Sequence, residues 1–217
     1  MTMLRSRTFA LILGALLFAV WGTPSAAQDA PGLALIRDSA TRDLVRSLLG
    51  RASALGLPTA PLMSKALEGV AKKASTKSIE SAINALEKRM RRASALLAPD
   101  PTVDELAQGA DALYVGVPDQ TLRQMRALAP KRSIATELGF VTELVARKVP
   151  PKKASAWVLD LMARNVTGAQ LTALNSAVQE DVAAGIAPAV ALNLRGRGIM
   201  SLLPPPPSAA TLQGRPR

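Results

Sequence analysis

A chain of 217 residues with no cysteine, no histidine and a formal charge of +11, from 27 lysines and arginines against 16 acids, excludes whole classes of chemistry before any motif is sought. Without cysteine there is no disulfide staple or thiolate, and without histidine the commonest general base, the usual zinc ligand and the physiological-pH switch are missing together. Aromatic residues make up only 3%, too few for a base-stacking platform, so nucleic acid is not the expected partner. The abundant alanine and leucine are helix formers that need no polar partner.

The first 27 residues have the three parts of a cleavable secretory signal peptide. Arg5 and Arg7 precede an uncharged apolar run from Phe9 to Val20, Gly22-Thr23-Pro24 breaks it, and Ser25-Ala26-Ala27 supplies the small residues for cleavage between Ala27 and Gln28. The run is about 12 residues, short of the roughly 20 that span a bilayer as a helix, and no second such stretch follows, so no transmembrane helix is expected after cleavage. Periplasmic or secreted localisation in a bacterium is therefore expected. Loss of Arg5 and Arg7 lowers the formal charge from +11 to +9, a field that favours anionic partners.

Beyond the leader, residues 28–203 are long enough for one helical domain with a real core. Ile79, Ile83, Leu86, Met90, Ala93 and Leu97 recur at steps of three and four, which predicts the longest helix over roughly 76–97, capped by Ser75 or Thr76 and stopped by Pro99-Asp100-Pro101. Thr102-Val103-Asp104-Glu105 is a capping box opening a helix to about Val115. Thr167-Gly168-Ala169-Gln170 repeats the device and opens roughly 168–184, with helices near 119–128, 134–147 and 151–163 between them.

A recurrent junction separates these elements: Gly56-Leu57-Pro58, Gly116-Val117-Pro118, Lys148-Val149-Pro150, Asn165-Val166-Thr167 and Gly185-Ile186-Ala187-Pro188. A residue able to turn left-handed ends one helix, an apolar residue packs back on it, and Pro or Thr begins the next. Lys148 is the poor member, because a side chain there meets the left-handed steric cost. The spacing of the junctions suits degenerate αα-hairpins, without tetratricopeptide, ankyrin or leucine-rich signatures. The expected fold is all-α, with about eight or nine short helices, and a compact bundle and a short solenoid both remain open. From Pro204 to Arg217 the four consecutive prolines and apolar-poor remainder predict a disordered tail, either a ligand for another protein or a frayed end.

No nucleophile elbow, Ser-x-x-Lys, phosphate-cradling Gly-rich loop or calcium loop is present. Leu194-Arg195-Gly196-Arg197-Gly198 reads as a helix end rather than an anion nest, since no strand precedes it. The acid pairs Asp104 with Glu105, and Glu180 with Asp181, read as solvated charge, because sequence neighbours point to different sides of a helix. No catalytic residue, cofactor or metal is expected.

Basic residues cluster as Lys72, Lys73 and Lys77; as Lys88, Arg89, Arg91 and Arg92; as Lys131 and Arg132; and as Arg147, Lys148, Lys152 and Lys153. Helix ends and turns explain such cations through the dipole. If the hairpins stack in register, however, Lys131, Arg132, Arg147, Lys148, Lys152 and Lys153 form an anion-binding strip along one edge. The block Gly56-Leu57-Pro58-Thr59-Ala60-Pro61-Leu62, with Lys65-Ala66-Leu67-Glu68-Gly69 and Ala71-Lys72, together with the Gly-apolar-Pro junctions, resembles uncharacterised exported helical (αα-hairpin) proteins of bacteria. That resemblance implies the compartment and the helical fold and lends no catalytic residues. The chain reads as a non-enzymatic interaction or scaffold protein of the envelope with a protein partner; the alternative is a basic protein binding anionic lipid or cell-wall polymer.

Overall fold

The computed structural model describes residues 32–205; the leader with its Ala27–Gln28 junction, and the tail from residue 206 onward, lie outside the described residues. Among them a short 3₁₀ turn (Leu33–Leu35) precedes α1 (Ser39–Ala54), α2 (Ala60–Ala71), α3 (Thr76–Leu96), α4 (Val103–Tyr114), α5 (Asp119–Leu128), α6 (Ala135–Ala146), α7 (Pro151–Ala163), α8 (Gly168–Ala183) and α9 (Pro188–Met200), with no strand. The all-α expectation holds. So does the position of the longest helix, α3, at 21 residues.

Local chemistry sets the helix starts. The Asp38 carboxylate accepts from Thr41 N–H at 2.7 Å, Ser75 Oγ accepts from Ser78 N–H, and both expected capping boxes form, Thr102 with Glu105 and Thr167 with Gln170. Helices α2, α7 and α9 begin with proline in the first turn, where its missing N–H is not needed.

The five junctions all close the same way. Gly56, Gly116, Lys148, Asn165 and Gly185 have φ of 71°, 94°, 71°, 57° and 91°, and the next residue's N–H reaches back five residues. Leu57 donates to Ala52 O, Val117 to Ala112 O, Val149 to Leu144 O, Val166 to Leu161 O and Ile186 to Asp181 O. Leu57, Val117, Val149 and Val166 are buried, which supplies the packing that makes each stop permanent. Lys148 adopts the left-handed backbone despite its side chain. A sixth turn does the same: Lys73 has φ 54° and Ala74 N–H donates to Gly69 O at 2.9 Å. In the sequence Lys73 reads as a cation at a helix end or turn, not as a left-handed residue.

Buried side chains form two cores. Val45, Leu48, Leu62, Ile83 and Leu86 belong to the first, built from the 3₁₀ turn to α4. Leu122, Met125, Leu138, Leu144, Val158, Leu161 and Leu192 belong to the second, which runs from α3 to α9. Helix α3 serves both, Ile79 to Met90 in the first and Ala93 to Leu97 in the second. Helices α1 and α2 pack on it, Thr41 Oγ1 meeting Thr76 Oγ1 at 2.7 Å.

From α3 onward the compact bundle has an internal order, because alternate helices stand side by side. Helix α4 packs on α6 and α6 on α8, forming one row; α3 packs on α5 and α5 on α7, forming the other. Helix α9 extends the second row through Trp157, whose indole N–H donates to Asn193 Oδ1 at 3.2 Å. Gly196 lies within α9 rather than at its end: a Cβ there would stand 2.5 Å from Trp157 Cζ3. The Arg195-Gly196-Arg197-Gly198 segment is thus continuous helix, and the glycine makes room for an indole ring.

Two substitutions test these assignments. Lys148→Gly removes a left-handed penalty of about 1–2 kcal/mol and adds unfolded-chain freedom, so urea denaturation is expected to show a net gain of about 0.5–1 kcal/mol. Gly196→Ala gains about 1 kcal/mol of helix propensity but drives a methyl into the ring; overpacking of about 1–3 kcal/mol should win and lower the melting temperature.

Candidate functional site

The polar centre of the molecule is a carboxylate at the start of α4. As the third residue of its capping box, Glu105 turns its side chain back, and Oε2 accepts from Thr102 N–H at 2.8 Å. The second oxygen accepts from Ile134 N–H at 2.9 Å, just before α6, and from Arg126 Nη2 near the end of α5. Glu105 is 1% exposed and Arg126 9%. The remaining donors of Arg126 are used as well, Nε on Leu97 O at 3.1 Å and Nη1 on Ala129 O and Arg132 O. Burial pushes the Glu105 carboxyl up, but the hydrogen bonds from Thr102, Ile134 and Arg126 and the guanidinium charge outweigh it and hold it below its ordinary value.

A second such pair closes α8 on α9, where Arg195 Nε and Nη2 donate to the two oxygens of buried Asp181 at 2.8 and 2.6 Å. The hydrogen bonds from Arg195 hold this carboxyl below its ordinary range. The sequence reading of both acid pairs as solvated charge is therefore corrected for one member of each. Asp104 and Glu180 are exposed, while Glu105 and Asp181 are buried against arginines 21 and 14 residues downstream. Among the described residues no group of three or more His, Cys, Asp or Glu side chains could hold a metal ion.

The two rows differ in charge. Helices α4, α6 and α8 carry seven acids, Asp104, Glu105, Asp111, Glu137, Glu143, Glu180 and Asp181, and no lysine or arginine. Helices α3, α5, α7 and α9 carry an excess of lysine and arginine, with α9 holding no acid at all. Between α4 and α6 lies an open cleft of about 400 Å³ lined by Asp104, Gln108, Thr136, Gly139, Thr142 and Glu143. Glu143 is oriented there by Asn175 Nδ2 at 2.6 Å and by Arg147 Nη2 at 3.2 Å. The cleft is lined by hydrogen-bonding groups and small side chains.

The six basic residues expected to share one edge fall into two groups. Lys131 and Arg132 precede the N-terminus of α6, whereas Arg147 and Lys148 follow its C-terminus and Lys152 and Lys153 lie in the first turn of α7. Helix α6 separates the two groups by roughly 18 Å, at 1.5 Å per residue. Two of the six are also occupied: Arg132 pairs with buried Glu137 and Arg147 with Glu143. The feature that organises charge is instead the alternation of helices. It was present in the sequence as stretches lacking Lys and Arg, but those stretches acquire meaning only when α4, α6 and α8 are seen to adjoin.

Removing Glu105 should test the polar centre. Glu105→Ala leaves the Arg126 guanidinium buried without its counter-charge, and an expected loss of about 3–5 kcal/mol follows. Because the folded carboxyl titrates below its ordinary 4.5, its stabilisation is complete above that value and is lost as pH falls through the lower folded value. Denaturant midpoints measured from pH 7 down to about 2.5 should therefore fall more steeply in the parent than in Glu105→Gln.

No family model, curated protein or solved structure matches the chain.

Proposed function

We propose that this chain is a non-enzymatic interaction module of the bacterial envelope, a helical scaffold that captures a partner protein. The observation that carries this reading is the chemical division of its two helical rows, one acidic and amide-rich with a cleft along it, the other basic. A division of this kind presents different partners to the two sides of one rigid body and sets the orientation in which they meet. The expected signal peptide supplies the compartment, and the lack of cysteine agrees with a fold held by packing alone. In this reading the α4–α6 cleft takes an extended segment of the partner, with Gln108, Thr136, Thr142 and Glu143 supplying hydrogen bonds and Ala107, Ala135 and Gly139 allowing close approach.

A second reading, association with anionic lipid or cell-wall polymer, is favoured by the basic row and by the positive net charge. Salt separates the two, since screening weakens exposed charge contacts far more than a packed cleft.

Affinity capture from bacterial envelope extracts at low and high salt is the direct test. One protein partner should be retained at both salt concentrations by the parent and lost with Thr136→Arg, which places a long side chain in the cleft from an exposed position. Identical retention by parent and variant would refute capture through this cleft.

A further inference from the structure

We infer that the outward face of the α3–α5–α7–α9 row docks on an anionic lipid bilayer, an inference that rests on reading the chain as a binding module and specifies what its basic side binds. Lys88 and Arg91 on α3, Arg123 on α5, Lys152 on α7 and Arg197 on α9 are exposed. None of the five makes an ion pair among the described residues. The acids of the same row are spent elsewhere. Glu87 pairs with Arg51, Asp119 with Arg92 and Asp160 with Arg164, leaving Glu80 as the one carboxylate of these helices outside an ion pair. With Glu87 and Asp160 paired to arginines outside these helices, Lys88, Arg91, Arg123, Lys152 and Arg197 keep their charge without a carboxylate partner, which favours anions.

The arrangement of the cations identifies the kind of anion. Neighbouring helices in such a row lie about 8–10 Å apart, so the charges spread over the width of four helices rather than along one groove. A surface of many anionic headgroups meets such an array at every point, whereas a single polymer strand tracks a line of cations. At the end of the row the outer ridge of α9 adds Val190 and Leu194, which are 56% and 59% exposed, with Arg197 one turn on. Bare aliphatic side chains beside cations suit the boundary between headgroups and acyl chains, and a soluble polyanion has no use for them. Among the described residues no helix is long and apolar enough to cross a membrane, so the contact is peripheral. The opposite row, free of Lys and Arg, then faces away from the membrane, with its cleft open to a partner.

Vesicle co-sedimentation of the chain from Gln28 onward, free of the apolar leader, decides the matter. Vesicles of phosphatidylcholine with about 30% phosphatidylglycerol should bind the protein at about 50 mM salt and release it at about 500 mM, and pure phosphatidylcholine should not bind it. The triple variant Lys88→Glu, Arg123→Glu, Lys152→Glu should lose at least about 100-fold in affinity, given the effect of each cation near an anionic surface. A control of equal charge change away from this face, Arg37→Glu, Lys73→Glu, Lys131→Glu, should retain most of the binding. The pair Val190→Ser, Leu194→Ser, which leaves charge and core unchanged, should weaken binding about 5- to 10-fold. Equal losses in both triple variants, or binding to soluble polyglutamate or polyphosphate but not to vesicles, would overturn the proposal. Failure of partner capture by the cleft leaves the vesicle result standing, so the two readings fail separately.

Discussion

A carboxylate buried without neutralisation is more than a small domain can sustain, and Glu105 meets that constraint by drawing four helix ends to one point. It caps α4, accepts from the backbone just ahead of α6, and holds Arg126 of α5, which in turn ties down the carbonyl of Leu97 past the end of α3. Each nitrogen of the guanidinium and each oxygen of the carboxylate has a partner, the condition under which a buried ion pair is tolerated. With these ends fixed, α6 has little choice but to lie along α4. That adjacency begins the acidic row and places the cleft.

Packing carries the same order through the rest of the molecule. The apolar stripe of α3 is long enough to serve two cores in succession, so the bundle of α1 to α3 and the rows that follow share one continuous element. At the far end Trp157 lies against Gly196 and Asp181 holds Arg195. The second row ends in a ridge of Val190 and Leu194 that no other described element covers. Electrostatics follows the architecture: arginines that bridge between elements pair with acids, while Lys88, Arg91, Arg123, Lys152 and Arg197 of the basic row stay exposed.

The helices were legible because their signals are local. Capping boxes at Thr102 and Thr167, prolines in first turns and a left-handed residue at Gly56, Gly116, Asn165 and Gly185 each act within six residues, and each ended or began a helix where the pattern placed it. The burial of Glu105 and Asp181 was illegible for the opposite reason. Their partners lie 21 and 14 residues away in sequence, and a carboxylate next to another carboxylate on a helix gives no sign of which one turns inward. The six basic residues fall in two groups at opposite ends of α6, a separation set by the length of that helix rather than by anything local to the clusters. Lys73 reads in the sequence as a cation at a helix end or turn, and its left-handed backbone is the part that a lysine does not signal.

From its sequence alone this chain determined its secondary structure, its dependence on packing without disulfides, and the chemistries it lacks, because composition, caps and periodicity act over one or two turns. Tertiary structure decided which charges are buried and that helices without lysine or arginine stand together in one row, beside a row that carries an excess of them. Those properties depend on which helix lies beside which, and that is set by long-range contacts such as Glu105 with Arg126 and Trp157 with Gly196.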